Sequence, residues 1–506
     1  MSAAIGHKRC LILVHPPQQG LLEGFSSGLI ALANFVALRL PDVDVRILDL
    51  GILPHAALFT HVAESLKGIR GQVFVGITTT TASYQAALSV AQVFKRLAKE
   101  CIVVLGGHHA SSQDDVVLQA HTDVDLIVRG EGEASLVELL IRYPELSDVP
   151  SLSYRDGSQI IRNPSARLLD QQDLDQILPN FRDWGLRSAP GKFDHVTYVA
   201  ARGCPLQCAF CSVANERIRS KSIGAVVRDL RILVGEFGFN SVAIEDNFFA
   251  HSPKRTIELC GAIEELQKEI SFRWDCQTRV ESCRRTDVME SMERAGCEAV
   301  YLGVEAFDPE HLLYLKKTPS PGPYVQSLRE QVVPWLLRSR INCYINLQLG
   351  LPGEDEHHRD NTLKQLAELG KQAADRERPI TIFPQLHVVY PGTRHFHEAV
   401  AEGRFGRDSV SVFERFTAWE ARQKPVLEFL GEHFAHGTGG IPEGILCSAR
   451  LGQGEFAVDG DAVIKLVNYL NEIENLNKDG LILFKYGRYL TNAHDQADKR
   501  SFVSNL

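Results

Sequence analysis

Apolar residues along this chain fall into two alternating arrangements. Short, nearly unbroken runs rich in Val, Ile and Leu are separated by longer stretches in which apolar positions recur every three or four residues. The first kind reads as strands buried on both faces and the second as helices packed over them, so their alternation predicts parallel sheets built from βα units. Over residues 1–149 the strand-like runs lie in "RCLILVHPP", "DVRILDL", "QVFVGITTTT", "CIVVLGGHHA" and "VDLIVRGEGE", which predicts a doubly wound, Rossmann-like sheet. A second series, "HVTYVAAR", "SVAIEDNFF", "RWDCQTRV", "AVYLGVEA", "CYINLQLGLPGE" and "TIFPQLHVVYPGT", occupies residues 191–395. Helical segments separate its members, one being the amphipathic stretch from Ile223 to Phe237, and six such units predict a partial (β/α)6 barrel. Between the two series, residues 150–190 read as a linker with a short hairpin turning at Asp156-Gly157. Residues 396–506, from "FHEAVAEGRF" to "AVIKLVNYLNEIENL", read as a mixed, mostly helical C-terminal region. The predicted class is α/β, with a small mostly helical region at the C-terminal end.

Composition narrows the functions open to such a fold. The 506 residues are 44% hydrophobic and 23% charged, ordinary for a soluble protein with several cores. A net charge of −9 provides no general basic surface for nucleic acid or anionic lipid. The longest apolar stretch, "GLIALANFVALRL", is interrupted by Arg39 and Pro41 well short of a membrane span, and the N-terminus shows no signal-peptide succession, so a cytoplasmic location is expected. In that reducing compartment the eleven cysteines stay as thiols unless a metal takes them. Cys10, Cys101, Cys260, Cys276, Cys283, Cys297, Cys343 and Cys447 are dispersed and read as small core residues.

The remaining three are not dispersed. Cys204, Cys208 and Cys211 fall within "RGCPLQCAFC". A structural zinc site wants a fourth Cys or His close by, and none is there. An electron carrier likewise closes its cluster with four thiolates. A four-iron cluster on three thiolates leaves one iron without a protein ligand, open to a small chelating molecule.

This C-x3-C-x2-C spacing, with Phe210 before the last cysteine, resembles the signature of the radical S-adenosylmethionine (SAM) superfamily. The resemblance implies a [4Fe–4S] cluster on Cys204, Cys208 and Cys211. It also implies that the open iron is chelated by the amine and carboxylate of SAM, that an external donor such as flavodoxin or ferredoxin supplies an electron, and that a 5′-deoxyadenosyl radical results. Chemistry in such barrels collects at strand C-termini, where this chain places Glu245, Asp246, Asn247, Gln277, Arg279, Glu305, Asn346 and Gln348. By resemblance, the SAM contacts are Phe210, Glu245 and Asp246 of "IEDN" (in place of the family's Gly-Gly-Glu), Arg279 on the carboxylate, Glu305 on the ribose, Gln348, and Gly353 of "GLPGE" beside the adenine.

The N-terminal series resembles the cobalamin-binding domain that precedes the barrel in the B12-binding class of that superfamily. Thr78, Thr79 and Thr80 of the four-threonine run, Gly106, Gly107 and His108 of "GGHH", and Glu131 of "RGEGE" are the expected cobalamin-binding residues. The Asp-x-His-x-x-Gly element that supplies a cobalt ligand in related domains is absent from residues 1–149. This leaves two readings: cobalamin bound without a histidine ligand, or a domain that has become structural. The resemblance implies a cobalamin-dependent methyltransferase acting on an unactivated carbon of a small-molecule biosynthetic intermediate; the alternative is cyclisation, oxidation or dehydration on the same framework, with or without cobalamin. Neither nucleic acid nor a membrane span enters either reading.

Overall fold

The computed structural model describes residues 9–17, 26–51, 57–81, 83–181, 195–349, 351, 353–387, 389–402 and 482–484. Described residues up to Phe181 form one compact unit and those from His195 onward another. In the first unit the five expected runs are strands β1 (Cys10–His15), β2 (Asp44–Asp49), β3 (Val73–Thr78), β4 (Ile102–Gly106) and β5 (Leu126–Val128). They lie parallel in the order β2-β1-β3-β4-β5. The order reverses at β1, so successive crossovers leave helices on both faces, which is the doubly wound arrangement, and the crevice for ligands lies at the strand C-termini beside that reversal. The helices Ser27–Arg39 and Glu133–Arg142 pack together over a core that includes Leu11, Leu13, Phe74, Leu126 and Leu139.

The predicted hairpin forms from β6 (Leu152–Asp156) and β7 (Gln159–Arg162), turning at Gly157 with φ of 58°. It extends the first sheet antiparallel from β5, so part of the segment read as a linker is an edge of that sheet. A buried carboxylate fastens it: Asp114 accepts from Ser153 Oγ at 2.5 Å and pairs with Arg162 Nε at 2.9 Å.

The second unit contains β8 (His195–Tyr198), β9 (Ala201–Arg202), β10 (Arg219–Ser220), β11 (Ser241–Ile244), β12 (Arg273–Thr278), β13 (Cys297–Glu305), β14 (Asn342–Leu349), β15 (Ile380–Leu386) and β16 (Ile482–Phe484). β9 and β10 pair only with each other; the other seven are parallel and follow one another in the order β8-β11-β12-β13-β14-β15-β16. Strand order without a reversal is barrel topology and brings every strand C-terminus to one face. The first six strands are the six predicted runs, and β16 adds a seventh from the far end of the chain. The rest of the C-terminal region beyond residue 402 lies outside the described residues. The amphipathic stretch from Ile223 forms an α-helix to Leu230 and continues as a π-helical segment, Arg231–Glu236.

Aromatic rings fill the sheet ahead of the strand ends. Tyr301 of β13 stacks on Tyr344 of β14 with centroids 4.7 Å apart, and Phe383 of β15 packs 5.8 Å from Tyr301. Beyond this layer the β13–β14 register slips between Gly303 and Glu305, and Glu305 takes a φ of 73°. A bulge with a left-handed non-glycine residue is strained, and such bulges re-aim a side chain.

Candidate active site

The cysteine loop is held mainly by backbone. β9 and β10 close it at its base, pairing Arg202 with Arg219. Gly203, at φ 86°, turns where any Cβ would lie 2.4 Å from the Arg217 carbonyl oxygen, so only glycine fits. Inside the loop, Glu216 N donates to Cys204 O and Asn215 N to Leu206 O. At its centre, Ala209 N donates to Leu315 O at 2.9 Å, and Ala209 O accepts from His395 N at 3.0 Å. Asp246, expected to contact SAM, is fully buried and accepts from Ala200 N at 2.6 Å and Ala201 N at 2.7 Å. It thereby fixes the chain entering the loop. Phe210 is half-buried beside the last cysteine.

The three thiols are close in sequence and form no disulfide among the described residues. Burial pushes the Cys204 thiol up, and that of Cys211 up to about 11. Left to themselves these two sulfurs keep their protons, and a bound metal supplies the positive charge that makes them thiolates. The donor set therefore suits a metal centre. Arg279 stands beside it: Nη1 donates to Cys208 Sγ at 3.6 Å, Nη2 to Lys317 O at 2.5 Å, and the guanidinium pairs with Glu281 at 3.0 Å.

The bulge at Glu305 opens a polar network at the ends of β13, β14 and β15. Glu305 Oε1 pairs with Lys317 Nζ at 3.2 Å, and Oε2 accepts from Gln348 Nε2 at 2.9 Å. Gln348 Oε1 lies 2.7 Å from His387 Nδ1, which donates when the proton is on that nitrogen. Gly303 makes room for the ion pair, since a Cβ there would stand 2.7 Å from Glu305 Oε1 and 2.8 Å from Lys317 Nζ. Burial drives His387 down to about 3, so its ring is neutral and Nε2 offers a lone pair. Among the described residues neither His387 Nε2 nor Asn346 Oδ1 has a hydrogen-bond partner, although both atoms are buried. Buried acceptors in that condition fit a ligand that brings its own donors, as the ammonium and ribose hydroxyls of SAM do.

The remaining expected residues are more loosely placed. Glu245 is half-buried, and its N–H donates to Tyr198 O, extending the β8–β11 pairing. Gly353 has φ 82° and open space around it; Gly350 and Pro352 lie outside the described residues. Lys317, His387 and His395 entered no motif in the sequence. A lone glycine inside an otherwise apolar strand, Gly303, is the signal that could have announced the bulge and its charged partner.

In the first unit, Thr78 ends β3 opposite Gly106 at the end of β4. Thr79 is wholly buried: its N and Oγ1 both donate to Gly106 O at 2.7 Å, and its Oγ1 accepts from Ala110 N at 3.1 Å. Gly107, at φ 93°, presses against it, where a Cβ would meet Thr79 O at 2.4 Å. Thr80 and His108 are exposed at these same strand ends, while Glu131 follows β5 and accepts from Leu169 N at 3.4 Å. Small residues and exposed polar tips at the strand C-termini form a shelf suited to a flat ligand such as a corrin.

Both units match known families. The Radical SAM superfamily model matches residues 198–366 and the B12 binding domain model residues 24–140. The uncharacterized methyltransferase PH0819 of Pyrococcus horikoshii is 28% identical over 404 residues, covering 77% of this chain and 83% of the relative. The anaerobic magnesium-protoporphyrin IX monomethyl ester cyclase of Cereibacter sphaeroides is 29% identical over 262 residues, covering 48% of this chain and 42% of the relative. Among solved structures, the radical S-adenosylmethionine methyltransferase TsrM of Kitasatospora setae matches with a TM-score of 0.62 at 18% identity, covering 78% of this chain and 76% of that one, a likeness of fold. This chain belongs to the radical SAM superfamily and, with a B12-binding domain ahead of the barrel, to its B12-binding class. It is an enzyme whose cofactors are a [4Fe–4S] cluster, SAM and cobalamin, and it takes a small-molecule substrate and an outside reductant. Among the described residues no helix is long and apolar enough to cross a membrane.

Proposed function

We propose that this enzyme methylates an unactivated carbon of a small-molecule biosynthetic intermediate, with cobalamin as methyl carrier, and that Cys204, Cys208 and Cys211 ligate the cluster. The observation that carries this reading is the three-cysteine loop clamped by backbone to the connections after β13 and β15, with the Glu305–Gln348–His387 network at the strand ends of the same barrel. When bound, the cluster and SAM supply the hydrogen-abstracting radical and cobalamin the methyl group. The chain's share is to grip, orient and exclude water. In this reading His387 Nε2, Asn346 Oδ1 and the Glu305 carboxylate receive the donors of SAM, and Phe210, Glu245 and Gly353 flank it. Arg279 sits against Cys208 and acts on the metal centre as much as on the SAM carboxylate. Asp246 holds the loop through Oδ1. Thr80, His108 and the Gly106-Gly107 turn form the cobalamin shelf in residues 1–149, ahead of the 150–190 segment, the barrel at 191–395 and the C-terminal region at 396–506. Flavodoxin or ferredoxin in the cytoplasm supplies the electron. The likeness to the methyltransferase PH0819 supports methyl transfer; the cyclase match, confined to about half of this chain, favours ring formation as the second reading.

The test is anaerobic reconstitution with iron, sulfide, hydroxocobalamin, dithionite and methyl-labelled SAM. The expected outcome is 5′-deoxyadenosine, a retained corrinoid spectrum and label transferred to cobalamin, with the Cys208→Ala variant giving no 5′-deoxyadenosine. A wild-type protein that makes 5′-deoxyadenosine but keeps no corrinoid would sink methyl transfer in favour of the second reading.

A further inference from the structure

We propose that Asp308, His311 and His358 form a binding site for a divalent transition-metal ion of the zinc or iron(II) kind, distinct from the cysteine loop. The three come from two successive βα connections of the barrel. Asp308 lies three residues past β13 and caps the helix Pro309–Tyr314, His311 is in that helix, and His358 is in the first turn of the helix Glu356–Ala374 that follows β14. One nitrogen of each ring and one carboxylate oxygen all lie within 4.8 Å of one another. Asp308 and His311 are buried and His358 is half-buried, so this is not the solvated acidic surface on which such groupings arise without consequence.

The orientation of the ligands is set from behind. His358 Nδ1 lies 2.6 Å from Asp355 Oδ1, which turns Nε2 towards Asp308 Oδ1 at 3.7 Å and Glu310 Oε2 at 3.8 Å. Those separations are too long for hydrogen bonds and suit oxygens and a nitrogen arranged around a common centre. Asp308 Oδ2 in turn accepts from Asn361 Nδ2 at 3.4 Å. A carboxylate behind a histidine and an amide behind a carboxylate are the supports that metal ligands carry.

Helix capping accounts for Asp308 and Asp355, each of which bonds the first turn of its helix, but not for His311. No group among the described residues hydrogen-bonds its ring, which stacks on that of His358 with centroids 4.3 Å apart. Two imidazoles and one carboxylate match zinc or iron(II) and leave further positions for water or an outside ligand. The capped helix runs directly into Tyr314 and Leu315, whose carbonyls bond His395 Nε2 and Ala209 N. An ion here would brace the connection on which the cysteine loop leans.

Full-length protein with its iron–sulfur cluster reconstituted, so that iron occupies the cysteine loop, is exposed to Zn2+, desalted, and examined by elemental analysis and zinc K-edge absorption. The expected result is one zinc per chain beyond the cluster iron, with a nitrogen/oxygen shell at about 2.0–2.1 Å and no sulfur shell at about 2.3 Å. His311→Gln and His358→Gln should lose it while keeping the wild-type zinc-free melting temperature. Asp355→Asn preserves the helix cap and should weaken zinc about 10–100-fold. No retained zinc, a sulfur shell, or retention unchanged in the double variant of His311 and His358 overturns the site. Should the histidine variants not fold, the wild-type absorption shell decides by itself.

Discussion

The two units carry strand-end sites of opposite character. At the ends of β3 and β4 the chain is knitted mostly to itself: Thr79 and Gly107 are locked together and Thr80 is bonded to Ser83. At the ends of β13, β14 and β15 the side chains are ionic, buried and partly unsatisfied, with Glu305 on a strained bulge and His387 Nε2 unbonded among the described residues. A large flat cofactor can be held by shape on a settled backbone shelf, whereas a small zwitterion such as SAM needs charged groups prepared to meet it. The first site is expected to fail by losing fold alone, the second by losing affinity even where its fold is restored.

Mutations can break that contrast. Lys317→Met leaves the buried Glu305 carboxylate without its counter-ion, and about 3–5 kcal/mol of stability of the second unit should go with it, read from denaturant unfolding. Adding Glu305→Gln should restore most of that stability but not SAM binding by equilibrium dialysis. Recovery of both would make the pair purely structural. Gly107→Ala forces a Cβ into Thr79 O at a φ of 93°, and should cost about 2–4 kcal/mol in the first unit with SAM cleavage to 5′-deoxyadenosine intact. Loss of cleavage at unchanged stability would erase the distinction between the sites. The subtlest effect depends on pH. His387 is depressed from 6.5 to about 3, so unfolded chains bind a proton there that folded ones refuse. Its contribution is complete above pH 6.5 and is lost as pH falls towards 3. The melting temperature of His387→Gln should therefore decline less than that of wild type over that interval, and parallel curves would refute a buried neutral ring.

Much of this was legible in the sequence, for physical reasons that differ by region. Parallel strands buried on both faces must be apolar throughout, so "CLILVH" and "IVVLG" announce themselves, and the cysteines do so because a metal needs thiols at fixed reach. Lys317 did not. In "YLKKTPS" it reads as a solvated charge, yet Lys316 takes a φ of 50° and turns the chain so that Lys317 faces inward to Glu305. His387 is equally silent, because its partner Gln348 is nearly forty residues away and only the parallel register of β14 and β15 joins them. Asp246 was legible as a strand-end carboxylate but not as the cap of two amides, since such a cap leaves no mark in sequence.

Ala209 has no functional side chain, yet its amide and carbonyl tie the sequence between Cys208 and Phe210 to two separate connections of the barrel. Connections of that kind are where enzymes of one fold diversify what they accept. Here such freedom is mechanically yoked to the metal centre: a swap at residues 314–317 or 393–396 intended to widen the range of acceptors would tug on the loop that bears the thiols. Evolution or engineering of new selectivity in this barrel should therefore proceed through the other connections first.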